Sequence, residues 1–219
     1  MLSGLLLGSS LTSLAQSTAT TPSHCFYGGI AAYSSSFQPL GGTNGHTTVP
    51  FQATVGYQWR PRWAVQLGVA YSGYNNPYFT TGTYDGSSGG SRGYDFSFDG
   101  STYWRSVSAA LLGRYTLTRD LTHRLQVDAL GGFIFERSSL RDTGSWTAYS
   151  SWDSFGSEYN SRVITSNLLA GLGPSLRFRA IDHLEIVLDI VLNAPLASDT
   201  QHGIKSATAL GLRYRFGQR

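Results

Sequence analysis

Apolar and polar residues alternate along most of this chain. Phe51, Ala53, Val55, Tyr57 and Trp59 share one parity, with Gln52, Thr54, Gly56 and Gln58 on the other. Arg60-Pro61-Arg62 interrupts the run, and Trp63, Val65, Leu67, Val69 and Tyr71 then resume it against Gln66, Gly68 and Ser72. Period two predicts β-strands, and a proline between two such runs marks a tight turn, because it cannot donate to an interior ladder. The unit recurs. Val107, Ala109, Leu111, Gly113, Tyr115 and Leu117 lead through 119–123 to Leu125, Val127, Ala129, Gly131, Phe133 and Phe135. Ile164, Leu168, Ala170, Leu172, Leu176 and Phe178 lead through 181–183 to Leu184, Ile186, Leu188, Ile190 and Leu192. With an opening segment near Phe26–Tyr33 and a closing one, ATALGLRYRF, the pattern predicts eight strands.

The connections alternate as well. Short turns fall at 60–62, 119–123 and 181–183, and long Gly/Ser/aromatic-rich connections at about 37–48, 75–101, 137–161 and 194–204. A short–long rhythm, with both ends of the chain on the short-turn side, is that of an up-and-down transmembrane barrel. A soluble lipocalin-type barrel is the alternative, with its apolar parity turned inward. Two observations favour the membrane form. The apolar parity carries no charge at membrane depth where it is clear, and aromatics gather at its ends: Tyr57, Trp59, Trp63 and Tyr115 near the turns, Tyr71, Phe133 and Phe135 nearer the loops. No run of about 18 apolar residues predicts a spanning helix.

The opposite parity bears Gln, Asn, Ser, Thr, Gly and charge, so it predicts a polar lumen. Arg213 and Arg215 of the last strand point there, with Arg114, Arg177 and Arg179, and Asp128, Glu136, Glu185 and Asp189 supply the opposite sign. An eight-stranded barrel is just wide enough for side chains to fill, which makes an arginine–carboxylate network the expected interior. Spacing does not say which arginine meets which acid. Among sixteen basic residues only Lys205 is a lysine, as suits planar, paired charge more than a solubilising coat.

Eight amphipathic strands, four long loops on one side and a final LGLRYRF strand resemble the small outer-membrane β-barrel proteins of Gram-negative bacteria, of the OmpA/OmpX type. The resemblance covers nearly the whole chain. It implies an all-β, eight-stranded antiparallel barrel in the bacterial outer membrane, with lipid and the barrel-insertion machinery as partners. It also implies that Tyr214 and Phe216 belong to a C-terminal assembly signal. Such barrels serve as anchors, adhesins, small channels and lipid-modifying enzymes, so the resemblance fixes a class and not an activity.

The first residues, MLSGLLLGSSLTSLAQS, read as an export signal over 1–15, with a short apolar core and Ser13-Leu14-Ala15 as its cleavage site. That leaves an N-terminal segment, 16–24, and a barrel domain, 25–219. Cys25 is the only cysteine and reads as a buried thiol. A formal charge of +3 without a basic run gives no nucleic-acid footprint.

Chemistry is sparse. Ser198, Asp199 and His202, with His46 from the first outer loop, are the only catalytic candidates, and no nucleophile motif surrounds them. Asp95 and Asp99-Gly100 do not match a calcium loop, and Gly89-Gly90 lacks the strand–loop–helix setting of a phosphate cradle. No enzyme, cofactor or metal is therefore expected. The loops are the better prospect. Tyr94, Phe96 and Phe98 in one, and Trp146, Tyr149, Trp152 and Phe155 in another, either pack into a protruding sheet or contact an extracellular ligand. A small solute channel is the alternative to this anchor or adhesin role.

Overall fold

The computed structural model describes residues 24–36, 38, 40–43, 46–84, 94–149, 153–198 and 203–216. The strands are β1 (Cys25–Ser35), β2 (Gly41–Thr43), β3 (His46–Thr48), β4 (Phe51–Arg60), β5 (Trp63–Tyr84), β6 (Tyr94–Thr116), β7 (Leu125–Tyr149), β8 (Ser154–Ile181), β9 (Leu184–Ser198) and β10 (Lys205–Phe216). Eight of them close into one barrel, β1-β10-β9-β8-β7-β6-β5-β4, every pair antiparallel, and β2-β3 forms a separate hairpin in the β1–β4 connection. Closure joins β1 to β10, with Phe26 opposite Phe216 and Ile30 opposite Leu212. No sheet edge therefore remains within the closed ring.

Parity sets the two faces. Leu67, Leu111, Phe133, Leu172, Leu192 and Leu210 stand on the outside with their side chains exposed, Leu172 at 69%. Gln66, Arg114, Asp128, Glu185 and Arg213 point inward and are buried. This arrangement inverts that of a soluble protein, and only lipid can cover such an exterior. The outward apolar stretch of β7 runs from Leu125 to Phe135. At about 3.3 Å per residue and a tilt near 40°, it spans roughly 28 Å of height, which fits the apolar band of a membrane barrel. The chain is thus a transmembrane β-barrel. Rings pack at its turn end, among them Phe26 with Tyr57 and Trp63 with Tyr115, both 4.7 Å between centroids, and Tyr214 with Phe216 at 5.0 Å.

Two expectations need correction. The segments 75–101 and 137–161 are not loops for most of their length. β5 continues to Tyr84, β6 starts at Tyr94, β7 continues to Tyr149 and β8 starts at Ser154. Their register is unbroken from Trp63↔Tyr115 to Tyr84↔Tyr94, and from Leu125↔Phe178 to Tyr149↔Ser154. Alternation is lost from the sequence there because both faces of the sheet lie outside the membrane, so no parity is forced to be apolar. Nor is the lumen polar throughout. Ala110, Leu112, Leu130, Ile134, Leu169 and Val191 form a buried apolar layer inside it. A lumen filled by side chains excludes bulk water and accepts apolar groups as readily as paired charges.

The lumen network and the projecting sheet

The charged side chains meet on the turn side of that apolar layer. Asp128, on β7, accepts hydrogen bonds from Arg114 Nη1 at 2.8 Å and from Arg177 Nε and Nη2 at 2.6 and 2.8 Å. Arg114 also donates to Asp189 on β9 at 3.0 Å, to Gln66 Oε1 at 3.0 Å and to Ser175 Oγ at 2.6 Å. Glu185 gathers three arginines: Arg213, bonded through Nε at 2.8 Å and again through Nη2, Arg215 at 3.4 Å and Arg177 at 3.6 Å. Six strands contribute, so the network ties together segments distant in sequence. Arg213 also lies over the ring of Tyr27 at 4.4 Å, and Tyr27 in turn fills the space that a side chain at Gly56 would need. A Cβ on Gly56 would sit 2.1 Å from that ring.

Two of the nine expected residues stand apart. Arg179 lies inward and makes no ion pair among the described residues. Glu136 is 2% exposed on the far side of the apolar layer, and among the described residues it too forms no ion pair, with Lys205 attracting it only from beyond ion-pair distance. Residues outside the expected set do as much work. Gln66 and Gln58 share the polar parity, so pattern alone made them eligible; Gln58 receives Arg215 Nη2 at 2.8 Å. Gln38 gave no signal, since it lies in a connection. It folds into the outer mouth, is completely buried, and donates to Ser106 O at 2.9 Å while accepting from Ser108 Oγ at 3.1 Å. Three interior cavities among the described residues measure about 10 to 20 Å³, room for about one water molecule each.

The charge network, the apolar layer and Gln38 fill the interior of a barrel whose exterior is apolar. The fold is that of a membrane-spanning β-barrel. No protein-family model and no curated protein matches the sequence. Several solved structures are similar to it. A major outer membrane protein from Thermus thermophilus aligns at 16% identity with a TM-score of 0.47, covering 88% of this chain and 99% of that one. The attachment invasion locus protein Ail of Yersinia pestis, in complex with the heparin analogue sucrose octasulfate, aligns at 13% and 0.43, covering 88% and 97%. The N-terminal barrel domain of Pseudomonas aeruginosa OprF aligns at 11% and 0.39, covering 89% and 98%. At such identities nothing about ligand or activity passes from them to this chain.

Beyond the rim the upper parts of β5 to β8 form an open four-stranded sheet. β8 alone pairs with β9 only from Asn167 onward, which leaves Ser154–Ser166 projecting, a length of about 40 Å at 3.3 Å per residue. On the face continuous with the lumen, Tyr78 and Tyr159 reach inward from the two outer strands and their hydroxyls meet in a hydrogen bond. They cross over Gly100 and Gly144, where any Cβ would collide with them: at Gly144 it would lie 2.6 Å from the Tyr159 hydroxyl and 2.3 Å from the Asp99 carbonyl oxygen. Tyr78 donates to Asp142 at 2.9 Å, as does Thr102 at 3.2 Å. The Tyr159 bond, with the Asp142 carboxylate beside it, pushes the Tyr78 phenol above its ordinary pKa.

Above that pair the same face is aromatic. Phe96 and Phe98 pack edge-on at 5.6 Å, as do Trp146 and Phe155 at 5.6 Å, and Tyr94 lies 6.3 Å from Phe155. Ala148 is completely buried among them. The structure therefore joins five of the seven aromatic loop candidates in one cluster. Tyr149, half exposed and opposite Asp95, has the parity of the other face. Trp152 lies outside the described residues, as do Asp199 and His202 of the catalytic candidates and residues 1–23. Tyr214 and Phe216 stand on the lipid side at the turn end of β10.

Proposed function

We propose that the barrel is a sealed anchor that carries the four-stranded extracellular sheet as a contact platform for a surface partner. The single observation behind this reading is that β5–β8 continue in register far beyond the membrane and gather Tyr94, Phe96, Phe98, Trp146 and Phe155 on one face. A barrel that only spanned the membrane would need tight turns there. Large rings held on a stiff ladder make a contact surface with little conformational freedom to lose on binding. Tyr149 adds a contact to the opposite face. The filled lumen, with its charge network, apolar layer and Gln38, supports a closed barrel over a solute channel. In this reading the chain has no catalytic role, residues 1–15 are removed on export, and Tyr214 and Phe216 are what the insertion machinery reads.

The test removes the platform and keeps the barrel. Deleting 76–102 and 142–161, segments that end on register partners, and closing each gap with a tight turn leaves the lipid-spanning rungs intact. The shortened protein should still show heat-modifiable migration on a gel. Cells that display it should lose binding to immobilised glycans and matrix proteins that cells with the full chain retain. Undiminished binding by a folded, shortened barrel refutes the proposal.

A further inference from the structure

On the opposite face of the same sheet, turned outward from the barrel axis and just above the lipid-covered surface, arginine is concentrated. Arg141 stands directly opposite Arg162, Arg105 lies one rung lower opposite Ser139, and Arg137 one rung lower again. Like charges directly opposed across two strands repel, so the arrangement costs stability unless an anion sits between them. No carboxylate in the structure does so: among the described residues none of the four makes an ion pair. Arg141 Nε donates to Asn160 Oδ1 at 3.3 Å and Arg162 Nε donates to Ser139 Oγ at 3.4 Å. Those bonds orient each guanidinium and leave its two terminal nitrogens to donate elsewhere. Tyr103, Arg105, Ser139, Arg141, Asn160 and Arg162 line a cavity of about 710 Å³. The acids of this face nearest to the arginines, Asp99 and Glu158, flank Ser145 two rungs farther out, about 13 Å along the strand from Arg141 at 3.3 Å per residue.

Height identifies the anion. The last apolar rung of the exterior is Ala109–Phe135–Leu168, and Arg137 begins the next one. With a tilt near 40°, Arg137 lies about 5 Å above the hydrocarbon edge, and Arg141 and Arg162 about 15 Å above it. That is the depth of headgroups and of the first sugars of a glycolipid. Guanidinium is the group that grips phosphate with two parallel bonds, and the arginines here occupy positions where a lysine would have served for charge alone.

We propose that Arg105, Arg141 and Arg162 form a binding site for the phosphorylated sugar headgroup of an outer-leaflet glycolipid, with Arg137 at its lower margin. The site depends on the membrane placement of the barrel and not on what the aromatic face contacts, so either proposal can fail alone. The purified full chain in detergent micelles is titrated with bisphosphorylated lipid A and with dephosphorylated lipid A, read by native mass spectrometry, with inorganic phosphate as competitor. The phosphorylated lipid should bind and the dephosphorylated lipid should bind at least about tenfold more weakly, as expected when charge-assisted hydrogen bonds are lost. The R105Q/R141Q/R162Q variant, still heat-modifiable, should lose the preference, and millimolar phosphate should fail to displace the lipid. Equal affinity for the two lipids, or a folded variant that binds like the parent, overturns the proposal; displacement by phosphate alone reduces the site to a free-anion site and overturns the lipid assignment. Should the triple variant not assemble, the two-lipid comparison on the unmodified chain decides.

Discussion

Glu136 and Glu185 are the same residue type, both 2% exposed inside one barrel, and they should respond in opposite ways to replacement by glutamine. Glu185 is held by Arg213 and lies 3.4 Å from Arg215 and 3.6 Å from Arg177. In that network four arginines, Arg114, Arg177, Arg213 and Arg215, face three carboxylates, Asp128, Asp189 and Glu185. One positive charge is already in excess, and Glu185→Gln doubles that excess, leaving four arginines against two acids. Removing one partner of a buried ion pair costs about 3–5 kcal/mol, because the charge left behind has lost its water without compensation. With a urea slope of about 2 kcal/mol per molar, the unfolding midpoint should fall by about 1.5–2.5 M. Glu136 has no close ion pair to lose and only the more distant Lys205 to attract it, so Glu136→Gln relieves a poorly compensated buried carboxyl and should leave the midpoint unchanged or raise it by up to about 0.5 M. The assay is urea unfolding of the barrel in lipid vesicles, followed by tryptophan fluorescence and by the mobility of unboiled samples on a gel. Equal shifts for the two variants, or a loss below about 1 kcal/mol for Glu185→Gln, would mean that the arginines are hydrated and not held by carboxylates.

Further outcomes follow from the same geometry. Gly144→Ala forces a Cβ against the Asp99 carbonyl and the Tyr159 hydroxyl, so it should loosen the extracellular sheet, seen as faster proteolysis of 142–161, while heat-modifiability of the barrel persists. Because the Tyr78 pKa is raised, its bond stabilises the sheet fully below the ordinary phenol pKa of about 10 and is lost as pH rises through the higher folded value. Alkaline difference absorbance should therefore lose the contribution of one late-titrating tyrosine when Tyr78 is replaced by Phe. At the turn end, the Thr122 hydroxyl and amide hold the Asp120 carboxyl below its usual pKa, so the turn is braced at neutral pH and released as pH falls through that lowered value. Hydrogen exchange of the Thr122 amide should quicken on acidification, and Asp120→Asn should remove that pH dependence. In planar bilayers the parent protein should give no steady conductance, and Gln38→Ala should stay closed as well, since the apolar layer and the charge network still fill the bore; a reproducible pore in the parent would refute the sealed lumen.

The sequence by itself determined the number of barrel strands, their two faces and the end of the barrel at which the long connections lie. Period two is a local property of the backbone, and a strand whose two faces meet oil and a filled lumen must write that difference into alternate residues, as Leu210, Leu212 and Tyr214 do against Arg213 and Arg215. It also marked the arginines and acids as inward. It did not pair them, because Arg114 meets Asp189 only across the bore of the closed barrel, with partners far apart in the chain. Nor did it show Leu112, Leu130 and Ile134 as lumen filling, since an apolar residue on a polar parity only blurs the pattern. The extracellular sheet was the least legible part: once both faces leave the bilayer no periodicity is imposed, and Tyr78, Tyr159 and the arginines of the outer face are brought together only by the register of four long strands.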